Sequence, residues 1–242
     1  MKKTVLIIAT ALFSSAILGG TKAFADEGGK YSSNGQITFE IDTDPTNPVD
    51  PTDPEKPVTP VDPTDPEKPV NPGTDGPLSI DYASSFLFGT QKISSNDKTY
   101  FAQPQAFKDG STGPNYVQVT DKRGTLEGWA LSVKQEAQFT TEENQTLEGA
   151  TISFTNASLT SSMADEFKPT AQTKATLQPG QETPLVSAAK NQGIGTWIYR
   201  LGENADQAKE SVQLFVPGKA VKLAKEYKTT LTWTLKSAPT ND

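Results

Sequence analysis

Neither cysteine nor histidine occurs anywhere in the 242 residues. Without cysteine there is no disulfide, no thiolate nucleophile, no thiolate metal site and no attachment of lipid through sulfur. Without histidine there is no Ser-His-Asp triad and no imidazole ligand for zinc. Long apolar runs are scarce as well. The one present, Val5 to Leu18, is preceded by Lys2 and Lys3 and followed by a small-x-small site, Ala23-Phe24-Ala25. It is shorter than the roughly 20 apolar residues that cross a bilayer. Residues 1–25 therefore read as a secretory signal peptide, leaving no membrane span in an exported chain that begins near Asp26. An exported chain without cysteine suits a Gram-positive wall, where no disulfide catalyst is relied on. Basic surface is also missing. The net charge is −7, and residues 38–77 hold ten acids against two lysines. Residues 78–242 are nearly balanced, with seventeen acids and sixteen bases. Nothing here provides the basic footprint of a nucleic-acid binder.

What is abundant is proline, on every third position from Pro45 to Pro72. Proline fixes φ and restrains the residue before it, so about two residues in three of this segment have little conformational choice. The period matches the three residues per turn of polyproline II, and glycine is too rare for collagen. A 12-residue unit, VDPTDPEKPVTP, recurs as VDPTDPEKPVNP. Residues 44–77 are expected to form a stiff acidic spur or linker that would reach about 90 Å if fully extended. A P-x-x-P ligand for an SH3-type domain is out of place on an exported chain. Asp42, Asp44 and Asn47 lie close in sequence, but the calcium-loop pattern lacks its glycine and closing glutamate. No metal site and no cofactor are expected.

Ahead of the prolines, Ile37, Phe39 and Ile41 alternate with polar residues. Residues 26–43 are read as an N-terminal segment whose strand pairs into the main domain, since an orphan apolar strand invites aggregation. From residue 78 to 242 short alternating runs alternate with Gly, Pro, Asn and Ser clusters, which predicts an all-β fold, a single β-sandwich-like domain. Asn204 is placed to cap a short helix, and a second is expected within FTTEENQTL.

Two of the runs share a motif. In GWALSV, Trp129, Leu131 and Val133 face one way, and in LTWTLK so do Leu231, Trp233 and Leu235. This pair of Trp-x-Leu sites, the second close to SAP, is similar to the signatures of the WxL-domain family. The stretch from Gly76 to Gln105 and the run GTWIYRLG, with Trp197 and Tyr199, resemble that family too. The resemblance implies a cell-surface protein of Gram-positive bacteria that attaches non-covalently to the wall, to peptidoglycan, and works beside other surface proteins of its cluster. No LPxTG sortase signal with an apolar tail stands in the sequence, which fits attachment by folded contacts. Trp129, Leu131, Trp233 and Leu235 admit two roles. Their rings could stack on sugars, or the Trp-Leu face could turn inward as core, which the threonines opposite favour. Trp197 and Tyr199 are additional aromatic candidates. An adhesin or partner-protein module, binding host matrix or another surface protein, is the alternative function. A wall glycan hydrolase is a minor one, because two carboxylates suffice for it. Glu142, Glu143, Asp165 and Glu166 sit in polar, turn-like sequence, so no catalytic residue is assigned and a non-enzymatic role is expected.

Overall fold

The computed structural model describes residues 30–238, so the signal peptide read at residues 1–25 lies outside the described residues. The chain divides into two units, the first ending at Phe39 and the second beginning at Glu40. The described part of the first, residues 30–39, contains no strand. Ile37 and Phe39 are 75% and 85% exposed, and Ile41, at the start of the second unit, is 59% exposed. The strand expected at residues 37–41 is therefore not formed. Alternation creates a suitable face, but a strand also needs a partner to satisfy its backbone. Just beyond, Lys122 Nζ meets Asp42 Oδ2 at 2.8 Å and the carbonyl of Asp44 at 2.5 Å.

The second unit is almost entirely β. In chain order its first strands are β1 (Val49–Asp50), β2 (Asp53–Pro57), β3 (Pro60–Val61), β4 (Leu78–Ala83) and β5 (Lys98–Phe101). Then come β6 (Gln105–Phe107), β7 (Thr112–Gly113), β8 (Asn115–Asp121), β9 (Trp129–Gln135), β10 (Thr151–Phe154) and β11 (Ala157–Thr160). The chain continues through β12 (Thr170–Ala171), β13 (Ala175–Thr176), β14 (Glu182–Ala188), β15 (Gly195–Leu201), β16 (Val212–Val216) and β17 (Leu231–Ser237). The one α-helix among the described residues, α1 (Ala205–Ala208), has the expected cap: the Asn204 side chain accepts from the backbone N–H groups of Asp206 and Gln207. The second expected helix is absent. Residues 140–146 instead turn back on themselves, with Asn144 in the left-handed region and Thr140 bridged to Thr146.

Three four-stranded antiparallel sheets carry the fold: sheet I (β13-β10-β16-β5), sheet II (β11-β15-β8-β4) and sheet III (β12-β14-β9-β17). Sheets II and III meet at both edges, β4 beside β17 and β11 beside β12, while β13 of sheet I lies against β14. The all-β class holds. The three sheets stand in a propeller-like ring and do not clearly make one sandwich, and their inner faces share one core. That core takes Trp129, Leu131 and Val133 from sheet III, Val117, Val119 and Trp197 from sheet II, and Ile152, Phe154 and Leu214 from sheet I. Period-2 alternation puts one side of each strand inward.

The proline segment does not run free as a spur. It folds over the outer face of sheet II. β1 and β2 form a hairpin, and β3 pairs with β6 through Pro60↔Phe107 and Val61↔Ala106. Val49, Val58 and Val70 pack on a second apolar cluster of Tyr82, Phe107, Tyr116 and Ile198, and Pro51 and Pro60 are buried. The physical reason lies in hydrogen-bond supply. A proline-rich chain is poor in N–H donors but keeps every carbonyl. The domain provides the donors. Gln118 Nε2 reaches the carbonyl of Asn47 at 3.0 Å, Gln105 Nε2 that of Val61 at 2.8 Å, and Arg200 Nη1 that of Pro51 at 3.3 Å. The Lys108 N–H donates to the carbonyl of Thr59 at 2.9 Å. In return the Val49 N–H donates to Gln118 Oε1 at 2.8 Å.

Candidate functional site

The two Trp-x-Leu motifs are side by side. β9 and β17 pair in continuous antiparallel register, with Trp233 opposite Val133, Leu235 opposite Leu131 and Ser237 opposite Trp129. Trp129 and Leu131 are each 1% exposed. The indole N–H of Trp129 donates to the carbonyl of Gly193 at 2.9 Å. Gly193 has φ +77°, and a Cβ there would come within 2.4 Å of the Trp129 ring nitrogen, so the residue has to be glycine. Trp233 and Leu235, on the sheet edge, are half-buried and rest on the core. The Trp233 ring stacks on Phe154, with centroids 6.3 Å apart and planes within 7°. Trp197 and Tyr199 are also interior. Their polar tips donate to the carbonyls of Ile194 at 3.0 Å and Gln172 at 2.9 Å.

Trp129, Trp197 and Tyr199 are thus turned inward while Trp233 stays half-buried, and the outer faces of the sheets offer further surface. On sheet II that face is covered by the proline segment. Under the cover Asp81, 5% exposed, accepts from Ser79, Gln118 and Thr120 at 2.6, 2.8 and 2.6 Å. Burial raises its pKa, and those three hydrogen bonds oppose the rise.

On sheet III the outer face is charged and internally paired. Lys236 meets Glu182 at 3.0 Å and Lys134 meets Glu136 at 2.7 Å. Glu182 also accepts from the Ser132 hydroxyl, and these bonds, Ser132 first and Lys236 next, lower its pKa.

Sheet I differs. Register sets its outward side chains in two rows, Phe101–Gln213–Ser153–Thr176 and Thr99–Phe215–Thr151. None of the seven is charged. Phe101 and Phe215 are 44% and 38% exposed. Beyond the end of β16 lies an open cleft of about 430 Å³, bordered by Gln145, Glu148, Lys219 and Val221. Phe101 and Phe215 were missed in the sequence reading. The run VQLFV is apolar at four of five positions, so alternation alone cannot say which side faces out.

The carboxylates considered for hydrolysis fall in two sequence-adjacent pairs, Glu142–Glu143 and Asp165–Glu166. Glu143 pairs with Lys225, and that contact lowers its pKa. Asp165 and Glu166 lie on a short 3-10 turn far along the chain. Among the described residues no group of three or more Asp or Glu is placed to hold a metal ion.

A family profile described as WxL domain surface cell wall-binding matches residues 26–239. No curated protein and no solved structure matches the chain. Nearly the whole sequence from Asp26 is thus covered by one profile, both Trp-x-Leu motifs included, and the chain belongs to the WxL family of surface cell wall-binding domains.

Proposed function

We propose that this protein is a non-catalytic surface protein of a Gram-positive bacterium that attaches non-covalently to peptidoglycan through the domain of residues 78–242. The observation that carries the reading is the cell wall-binding family match over residues 26–239. The sequence adds that no sortase signal and no cysteine for lipid attachment is present. Attachment by folded contacts is compatible with that.

The near-balance of charge over residues 78–242 favours a largely uncharged wall component over a polyanion. The wall-binding description of the family profile supports a binding role over hydrolysis.

The test is sedimentation of the chain from Asp26 onward with purified peptidoglycan stripped of teichoic acid, across a salt series. Binding should persist at 1 M salt, where the Debye length is only about 3 Å. Release at modest salt would identify a nonspecific charge contact. Absence of binding to stripped sacculi would refute the peptidoglycan reading. A clearing zone in a cell-wall zymogram would show that binding is not the whole function.

A further inference from the structure

We infer that the outward face of sheet I is the surface that meets the wall, and that its occupant is the uncharged, N-acetylated glycan strand of peptidoglycan, with Phe101 and Phe215 stacking on neighbouring sugar rings. The inference rests on the peptidoglycan reading above and adds the face and the chemistry of contact.

The three outer faces differ in what they present. Sheet II is covered by the proline segment, and sheet III carries charges that are already paired with one another. Sheet I leaves two phenyl rings in water where alternation would have placed polar groups. Each exposed ring forgoes the transfer free energy that covering it would return.

The rings are not adjacent in one row. Phe101 is opposite Gln213 and Phe215 opposite Thr99, so they are diagonal neighbours, about 7–8 Å apart between their backbones. Between and beside them stand the hydroxyls of Thr99, Thr151, Ser153 and Thr176 and the amide of Gln213. Of these, Ser153 and Thr176 bond each other at 3.1 Å, Thr151 donates to the Gly149 carbonyl at 3.4 Å, and Gln213 Nε2 donates to the Glu210 carbonyl at 3.1 Å. A sugar ring presents a C–H face with hydroxyl and acetamido groups around its edge. The phenyl rings suit the first, and hydroxyls and an amide, which both donate and accept, suit the second.

Charge decides between wall components. The seven outward side chains include no ammonium or guanidinium to neutralise the phosphates of a teichoic acid. They include no carboxylate to pair with the amino groups of a stem peptide either. The glycan backbone is the component whose lack of charge matches this face.

The experiment compares the chain from Asp26 onward with its Phe101→Thr/Phe215→Thr and Phe101→Tyr/Phe215→Tyr variants on teichoic-acid-free sacculi, with N-acetylglucosamine hexamer as soluble competitor. Threonine keeps the strand propensity of these positions while removing the ring. The threonine pair is expected to weaken sacculus binding at least about tenfold, and the tyrosine pair by no more than about twofold, since the stacking surface remains. The hexamer should displace the native chain.

Native-like binding by a folded threonine pair would overturn the inference and leave the peptidoglycan reading intact. So would displacement by soluble stem peptide or teichoic acid but not by the hexamer. If the native chain itself fails to bind stripped sacculi, the underlying reading falls first. Should the threonine pair not fold, Thr99→Arg is read instead. Position 99 is exposed on the edge strand, and the arginine would lie over Phe215. It should cause a similar loss, and unimpaired binding would again overturn the inference.

Discussion

Trp129 places the larger part of its motif inside the protein. Its ring is enclosed by the core and its only polar atom is satisfied by the Gly193 carbonyl at 2.9 Å. Trp129→Ala is expected to cost about 3–5 kcal/mol, read from urea unfolding midpoints. Trp129→Phe keeps most of the apolar volume but leaves a buried carbonyl without its donor, and should cost about 1–3 kcal/mol.

Asp81 gives a different test, because burial raises its pKa in the folded chain. A carboxyl whose folded pKa is raised contributes stability that is fully present below its unfolded value, about 3.9. That contribution is lost as pH rises through the folded value. Measured against Asp81→Asn, the native chain should therefore lose relative stability as pH rises from about 4 to neutrality. A difference between the two that stays flat with pH would refute the assignment.

At the scale of elements the proline segment is the main lesson. Its two 12-residue repeats open in the same way. Asp50 accepts from the N–H and hydroxyl of Thr52 at 2.8 and 2.7 Å, and Asp62 from those of Thr64 at the same distances. Beyond that shared turn they diverge. The first repeat closes the β1–β2 hairpin, while the second passes through successive turns at Asp65 and Lys68. Nearly identical sequence takes two courses because each repeat lies over different donors and a different part of the apolar cluster.

Polyproline II and β dihedrals are close neighbours, so the restraint that suggested a rod equally allows an extended chain laid against a sheet. Hydrogen exchange distinguishes the two. Backbone N–H groups at Val49, Val58 and Lys108 should be protected, whereas a solvated rod would exchange at Val49 and Val58 within the dead time. Replacing Val49, Val58 and Val70 together by serine should loosen the cover, speed exchange at those sites and raise binding of a hydrophobic dye as Tyr82 and Tyr116 become accessible.

For the unit from Glu40 onward, one core joined to all three sheets implies one cooperative transition. Trp129 and Trp197 lie in that core and Trp233 rests on it. Tryptophan fluorescence and far-ultraviolet circular dichroism should therefore report the same urea midpoint. Separate midpoints would mean that the sheets unfold independently. Truncating the chain before Leu231 removes a whole strand paired along β9 and takes away the Trp233–Phe154 stack. Such a chain should lose the cooperative transition altogether.

The excluded chemistry, the all-β class and the strands at GWALSV and LTWTLK are legible from residue order alone. Cysteine and histidine are simply missing, and runs such as GWALSV and LTWTLK alternate with a period that only a strand satisfies. β14 is hard to read from its local pattern because Pro184 stands within it, at the point where the register with β9 shifts, a place where a missing donor is tolerated. The remaining features arise from long-range packing. It turned Phe101 and Phe215 outward, folded the proline segment over sheet II, and left residues 37–41 without a strand. Local pattern specifies which residues can share a face. Which face is covered depends on donors and apolar surface supplied by residues far away in the chain, and no local period encodes that.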